Sequence, residues 1–211
     1  MTGDYGKFIT LEGSEGVGKT TNIDVVCRLL EANGVPFIKT REPGGTPLAE
    51  ALREAMLAVR EEEVSAMTEL LIVFAARTQH LDRVIRPALA AGQWVVCDRF
   101  TDASYAYQGY GRGLDLERIT ALEGWVQNGL QPDLTLLLDL APEVAEQRMQ
   151  ERTKDRMESE KVEFYQRVRS GYLRRAAQDA RFRVIEAKNT IDTVATEIDA
   201  HVSALIRDWK G

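Results

Sequence analysis

The residues with the clearest chemistry stand near the amino terminus, in the stretch FITLEGSEGVGKTT at positions 8–21. Gly13, Gly18, Lys19 and Thr20 fit the spacing G-x-x-x-x-G-K-[ST], between a predicted strand and a predicted helix. Glycines let backbone N–H groups converge on phosphate oxygens, and the helix N-terminus adds partial positive charge. We expect Lys19 to reach the β- and γ-phosphates of a nucleotide and the Thr20 hydroxyl to ligate Mg²⁺. The predicted nucleotide site comprises Gly13, Ser14, Glu15, Gly16, Val17, Gly18, Lys19, Thr20 and Thr21.

Glu15 is a less usual residue within this loop. Its position is variable in phosphate loops and points away from the bound phosphates. A carboxylate there could accept a hydrogen bond from a hydroxyl of a second substrate. A solvent-exposed side chain is an equally good interpretation, and the pattern alone does not choose between them.

A second group of polar residues follows the buried strand that ends in CDRF at 97–100. Ligands of open α/β sheets bind outside the carboxyl ends of the strands. Asp98 can hold Mg²⁺ through water, and Arg99 can grip a phosphate with two parallel hydrogen bonds. Asp139 also ends an apolar strand and is the rival metal residue. The arginine beside Asp98 favours Asp98, while a plain surface cation is the alternative for Arg99.

Three further stretches offer residues for an anionic or aromatic ligand. The Pro-Gly-Gly of 40–53 excludes regular structure, so this stretch is either a loop around an anion or a tight connection. Phe74 and Arg77 lie three residues apart on one helix face, where they either contact a nucleobase or belong to the core. The stretch at 40–53 also contains the candidates Arg41 and Arg53. The third stretch, SYAYQG at 104–109, contains the candidates Ser104, Tyr107 and Gln108.

Basic and acidic residues alternate over positions 145–167. A solvated helix with ion pairs between successive turns is the usual structure of such a run. The alternative is a lid whose arginines close over transferring phosphates, since phosphoryl transfer spreads negative charge over the moving group's oxygens. Its basic residues are Arg148, Arg152, Lys154 and Arg156.

The elements that must position these residues alternate between apolar strands and helices, which predicts an α/β fold with a parallel sheet covered on both faces. The predicted strands span 7–12, 36–40, 93–98, 134–140 and 181–187. The predicted helices span 21–34, 48–59, 67–91 and 191–209. We expect one domain over residues 1–211.

The composition excludes several functional classes. A net charge of −6 argues against a nucleic-acid-binding surface, which would be basic. No apolar run is long enough to span a membrane and no signal peptide is recognisable, so we expect a cytoplasmic, soluble protein. Cys27 and Cys97 are expected to be reduced core residues, and His80 and His201 structural or surface residues rather than metal ligands.

The motifs EGSEGVGKTT, TREPGGT, FAAR, DRF, AYQG and DRMESE, in this order, resemble the bacterial thymidylate kinase family. The resemblance covers nearly the whole chain. It implies a three-layer P-loop kinase fold with a five-stranded parallel sheet and a short lid at about residues 148–160. It further implies transfer of phosphate from ATP to dTMP with Mg²⁺, and a homodimer.

The same resemblance implies a role for each matching residue. Glu15 would meet the sugar 3′-hydroxyl, Arg99 would hold the dTMP phosphate, and Asp98 would organise Mg²⁺ and its waters. For the base and sugar the matching residues are Phe74 (stacking), Arg77 (base carbonyl), Ser104 and Gln108 (base edge), Tyr107 (crowding the 2′ position), Pro43 and Arg53 (pocket lining).

Family members differ in where the catalytic arginine lies. Some carry it in the phosphate loop, where this sequence has Gly16, so the resemblance assigns that role to the lid residues Arg152 and Arg156. It also implies an unusual Glu42–Pro43 peptide and leaves open whether that peptide is cis. Two rivals are a deoxynucleoside kinase, which would not need Arg99, and a nucleotide-dependent switch. No N-K-x-D guanine-reading signature is present to support a GTPase switch.

Overall fold

A computed structural model describes residues 5–148 and 155–210 of the chain. Its centre is one sheet of five parallel strands in the order β2-β3-β1-β4-β5. The strands are β1 (Phe8–Glu12), β2 (Phe37–Arg41), β3 (Trp94–Asp98), β4 (Leu134–Asp139) and β5 (Phe182–Glu186). The predicted α/β fold with a five-stranded parallel sheet is confirmed.

The three central strands are buried along nearly their whole length, while β2 and β5 at the edges are partly exposed. This difference explains why β1, β3 and β4 read as continuous apolar runs, because helices cover both of their faces. Parallel pairing aligns Leu11 of β1 and Arg41 of β2 with Asp98 of β3. The loops after these strands therefore meet at one edge of the sheet.

Helices pack on both faces of the sheet. They are α1 (Lys19–Ala32), α2 (Pro47–Leu57), α3 (Ala66–His80), α4 (Arg86–Ala90), α5 (Thr101–Ser104), α6 (Leu116–Gln127), α7 (Pro142–Arg148), α8 (Val162–Gln178) and α9 (Ile191–Lys210). One apolar cluster joins Val26 of α1 and Ile198 of α9 to the sheet. Another joins Val168 of α8 to Leu137 of β4 and Tyr107. Within the described ranges, no helix has the length and apolarity needed to cross a membrane.

The predicted single helix over 67–91 is interrupted in the structure. A π-helical turn, Leu81–Ile85, separates α3 from α4, and Pro87 lies in the first turn of α4. Proline has no N–H to donate to the preceding turn, so a regular helix cannot run through this position unchanged. A second π-helical segment, Tyr105–Gly111, continues α5.

The run at 145–167 is not a continuous solvated helix in the part that is described. α7 ends at Arg148, residues 156–159 form a turn, and α8 begins at Val162. Arg152 and Lys154, in the middle of the predicted lid, lie outside the described residues.

The prediction that both cysteines are reduced core residues is confirmed, since Cys27 and Cys97 are buried free thiols.

Candidate active site

The phosphate loop joins β1 to α1, and its glycines adopt backbone conformations that other residues avoid. Gly13 has φ 136°, and a Cβ atom there would lie 2.6 Å from the Leu138 carbonyl oxygen. Gly18, at the start of α1, has φ 91°. Lys19 Nζ donates to the carbonyl oxygens of Gly13 (3.1 Å) and Ser14 (2.8 Å), so its ammonium group lies across the loop. Burial lowers the pKa of Lys19.

A cleft of about 800 Å³ opens on one side of the loop. It is lined by Gly16, Val17, Gly18, Thr21, Asn22, Arg148, Ala187, Asn189, Ile191 and Val194. Arg148 Nη2 donates to the Ala187 carbonyl oxygen at 3.2 Å, which ties α7 to the loop after β5. The sequence did not point to Ala187 or Asn189 as lining residues. Both follow the carboxyl end of β5, and ligands of α/β sheets bind at the carboxyl ends of strands.

Arg99 lies between the phosphate loop and a second cavity. Its backbone is in the left-handed region, with φ 68°. Arg99 Nη1 donates to the Gly13 carbonyl oxygen (2.6 Å) and the Tyr172 hydroxyl (3.0 Å), and Nη2 donates to Glu15 Oε1 (2.6 Å). Burial alone would raise the pKa of Glu15, but the charges of Lys19, Arg99 and Arg53 lower it to about 2. Glu15 is therefore an anion inside a cationic cluster.

The second cavity has a volume of about 570 Å³ and meets the phosphate loop at Glu15 and Arg99. It is lined by Glu15, Glu42, Pro43, Arg53, Met56, Leu57, Val73, Arg77, Arg99, Phe100, Ala103, Ser104, Tyr107, Gln108, Asp155 and Met157. Two arginines, Arg99 and Arg53, lie in its wall with the carboxylate of Glu15. Arg53 is held by a bond from Nη1 to the Pro43 carbonyl oxygen (3.1 Å).

Arg77 also lines this cavity and is fixed by buried partners. Its Nε donates to Glu42 Oε2 at 2.6 Å, and its Nη1 donates to Ser104 Oγ at 3.1 Å. Glu42 also contacts His80 Nδ1 at 3.1 Å, so His80 is a structural residue. The Glu42–Pro43 peptide is cis. A buried ion pair thus holds a planar donor against the cavity.

Phe74 is placed differently from the other residues predicted to contact the base. Its side chain is buried with Leu70, Tyr105 and Ile119, and the Arg77 guanidinium carbon lies 4.6 Å from the centre of its ring. Among the described residues, the cavity wall does not include Phe74. Arg77 therefore stacks on Phe74, and a base could reach this ring only after a local rearrangement.

Arg156 is engaged on the side of α3 rather than at the phosphate loop. Its Nε donates to the Met56 carbonyl oxygen (2.8 Å) and its Nη2 to Glu69 Oε2 (3.0 Å). Glu69 is fully buried and also accepts from Gln108 Nε2 (2.8 Å) and Arg112 Nη2 (3.3 Å). This arrangement makes Arg156 an anchor for the carboxyl-terminal part of the predicted lid, and contact with phosphates would require the ion pair to open.

The two candidate metal carboxylates have different surroundings. The Asp139 carboxylate accepts hydrogen bonds from Arg169, from Nε to Oδ1 at 2.7 Å and from Nη2 to Oδ2 at 2.8 Å. Asp98 Oδ1 is buried and has no hydrogen-bond partner among the described residues. Asp98 and Thr20 line the same open cleft. No group of three or more metal-ligating side chains occurs in the described ranges. This donor set fits Mg²⁺, which keeps several waters and takes only one or two protein oxygens beside substrate phosphates.

A family model described as thymidylate kinase matches residues 11–198 of the chain. This chain belongs to the thymidylate kinase family. A protein of Chromohalobacter salexigens named thymidylate kinase is 55% identical over 208 residues, covering 97% of this chain and 98% of the relative. Its namesake in Pseudomonas syringae pv. tomato is 54% identical, covering 98% and 99%. Another, in Methylobacillus flagellatus, is 52% identical, covering 92% and 95%.

The geometry of this thymidylate kinase family member brings most of the predicted acceptor residues into one cavity wall. They are Glu15, Pro43, Arg53, Arg77, Arg99, Ser104, Tyr107 and Gln108. The Tyr107 hydroxyl is buried without a hydrogen-bond partner in the described part of the chain, and its ring lies 4.9 Å from the Arg99 guanidinium carbon. Of the predicted lid arginines, Arg152 lies outside the described residues.

Proposed function

We propose that this chain transfers the γ-phosphoryl group of ATP to the phosphate of dTMP, giving dTDP and ADP. Membership of the thymidylate kinase family supports this activity. The single structural observation that carries the site assignment is that two clefts border the phosphate loop. Gly16, Val17 and Gly18 line one of them, and Glu15 lines the other together with Arg53, Arg77 and Arg99. A donor and an acceptor nucleotide need such an arrangement.

The donor would lie along the phosphate loop, with its base and ribose in the cleft beside Arg148 and Asn189. The loop N–H groups and Lys19 would bind the phosphates. Thr20 and Asp98 are the residues that would hold Mg²⁺, which neutralises charge on the phosphates when bound. The unpartnered Oδ1 of Asp98 supports this assignment, because a buried carboxylate oxygen without a partner is costly.

The acceptor dTMP would place its phosphate at Arg99 and Arg53 and its base toward Arg77, Ser104 and Gln108. Glu15 would accept a hydrogen bond from the sugar hydroxyl, exchanging part of its contact with Arg99 for the substrate. Tyr107 would lie against the sugar and Phe74 beneath the base after rearrangement. The acceptor oxygen is already anionic, so no general base is needed. Positioning and charge neutralisation account for catalysis.

We further propose that residues 1–211 act as one domain with a lid at about 148–160, in which Arg152 and Arg156 approach the transferring phosphoryl group. A closed lid would exclude water that competes with the acceptor. A cytoplasmic homodimer, implied by the family resemblance, belongs to the same proposal. Light scattering that returns the mass of one chain of 23.6 kDa at working concentration would contradict the dimer.

The activity is tested by coupled ADP release with ATP and Mg²⁺ against dTMP, dUMP, dCMP, dGMP and thymidine. We expect dTMP to give the highest kcat/KM. Turnover of thymidine without turnover of dTMP would instead indicate a deoxynucleoside kinase.

The phosphate-binding role is tested separately with Arg99→Ala. Its kcat/KM for dTMP is expected to fall by about 10³-fold, because a charge-assisted, bidentate contact to the acceptor is lost. Arg28→Ala removes the same charge from an exposed position on α1 and is the matched control. Unchanged dTMP kinetics in Arg99→Ala would exclude the assigned role.

A further inference from the structure

We infer that Glu12 and Tyr172 are positioning residues for Arg99 and act on the acceptor phosphate without touching it. The inference rests on the proposed phosphate-binding role of Arg99. Glu12 is the last residue of β1 and Tyr172 lies on α8, so two elements far apart in the sequence meet behind the site. Neither residue was a candidate in the sequence.

The first contact fixes the backbone of Arg99. A residue with a side chain rarely adopts φ 68°, so this conformation must be held by its neighbours. Arg99 N donates to the Leu11 carbonyl oxygen at 3.0 Å, and Phe100 N donates to Glu12 Oε1 at 2.7 Å. The peptide groups on both sides of the Arg99 Cα atom are thus bonded to β1. Because the Arg99 Cβ direction follows from this backbone, Glu12 sets where the side chain starts.

The second contact fixes the plane of the guanidinium group. Arg99 Nη1 donates to the Tyr172 hydroxyl (3.0 Å), and this hydroxyl is hydrogen-bonded to Glu12 Oε2 (2.9 Å). One carboxyl group therefore holds both ends of Arg99, its backbone through Phe100 and its side chain through Tyr172. Glu15 accepts a hydrogen bond from Arg99 Nη2, and it is the partner that a phosphate could replace. The Nη1 contacts would then keep the plane unchanged during that exchange.

Burial separates this role from direct contact with substrate. Glu12 is 0% exposed and Tyr172 is 1% exposed. In the described part of the chain, the walls of both clefts omit Glu12 and Tyr172. Any effect of these residues on dTMP must pass through the groups they hold. Displacements of about 1 Å at a reacting group cost about 100-fold in rate, so small losses of order here are measurable.

The test begins with Tyr172→Phe, which removes one oxygen atom and keeps the ring. We expect kcat/KM for dTMP to fall by about 10- to 100-fold, while the KM for ATP stays within about twofold, because the donor cleft is not contacted. Tyr105→Phe is the matched control. Its buried hydroxyl bonds to Thr120 and Glu123 on α6, away from Arg99. A general loss of packing would affect both variants and both substrates.

Epistasis gives the decisive comparison. Tyr172→Phe added to Arg99→Ala is expected to cause no further loss, since there is no guanidinium left to position. Glu12→Ala and Tyr172→Phe together should lose less than the product of the two single effects, because they break one connection. Glu12→Ala also tests the idea if Tyr172→Phe does not fold. Glu12→Gln keeps an acceptor for Phe100 N and a donor for the Tyr172 hydroxyl, so it should stay close to wild-type kinetics.

The outcomes separate this inference from the proposed function. If Arg99→Ala is crippled while Tyr172→Phe and Glu12→Ala keep wild-type kinetics, the positioning role alone is overturned. Additive losses in the Arg99→Ala background would also overturn it. Wild-type dTMP kinetics in Arg99→Ala itself would refute the phosphate-binding assignment instead, and the inference with it.

Discussion

Glu12 predicts a specific dependence of stability on pH. Burial, with a smaller contribution from Asp102, raises the pKa of this carboxyl from 4.5 to about 8 in the folded protein, against the opposing effects of Arg99 and Tyr172. The folded state therefore binds the Glu12 proton more tightly than the unfolded state. Stability from this group is complete below pH 4.5 and is lost as the pH rises toward 8.

The magnitude follows from the two pKa values of Glu12. Each unit of pKa difference corresponds to about 1.36 kcal/mol, and between pH 6 and pH 8 linkage gives a loss of about 2 kcal/mol in the free energy of unfolding. Glu12→Gln mimics the protonated carboxyl at every pH and escapes this loss. We expect the variant to gain about 2 kcal/mol relative to wild type over this interval, or about 4–8 °C in Tm for a protein of this size.

Urea unfolding at pH 6, 7 and 8, followed by tryptophan fluorescence, measures the difference. Comparing the two proteins at each pH cancels the titration of other groups. Glu15, whose pKa is lowered to about 2, titrates in a more acidic window and does not interfere. Glu31→Gln, at an exposed position on α1, is the matched control and should stay parallel to wild type. A constant difference between Glu12→Gln and wild type from pH 6 to pH 8 would refute the reasoning.

Four other predictions concern two glycines, the buried partner of Arg156 and the metal site. Gly13→Ala should destabilise the fold by at least about 2 kcal/mol in urea unfolding, because of φ 136° and the Leu138 carbonyl. Gly124→Ala, in an open position on α6, should instead stabilise it by about 0.5–1 kcal/mol. Glu69→Gln should cost about 3 kcal/mol in the same assay, since two arginines lose a buried anionic partner; an unchanged midpoint would contradict this. Asp98→Asn should raise the Mg²⁺ concentration for half-maximal rate by about tenfold or more, and an unchanged Mg²⁺ titration would remove Asp98 from the metal site.

The sequence was most informative where one physical requirement dominates. β1, β3 and β4 had to be continuously apolar because both faces are covered, and the phosphate loop needs glycine at positions with φ above zero. The edge strands were also predicted within one or two residues. The parallel order of the sheet then brought Asp98, Arg99 and the loop together at one edge, as the rule for ligand sites in α/β sheets requires.

The contacts that depend on tertiary packing were not predictable. Nothing in the spacing connects Glu12 with Tyr172, which are 160 residues apart. The ion pair of Arg156 with Glu69 likewise depends on how the end of the predicted lid packs against α3. The π-helical segment Tyr105–Gly111 was missed because its residues lack the period of a regular helix. Periodicity describes which face of a single element is apolar, whereas these contacts join residues of different elements.

The two cysteines make this protein a convenient subject for labelling. Burial raises the pKa of Cys27 and raises that of Cys97 well above the ordinary value. Thiols react with maleimides as thiolates, so neither native side chain should compete with a cysteine introduced at the surface. Fluorophores could therefore be attached near positions 148 and 60 without first removing the native thiols. Distances between such dyes would report directly on whether the segment after α7 closes when nucleotides bind.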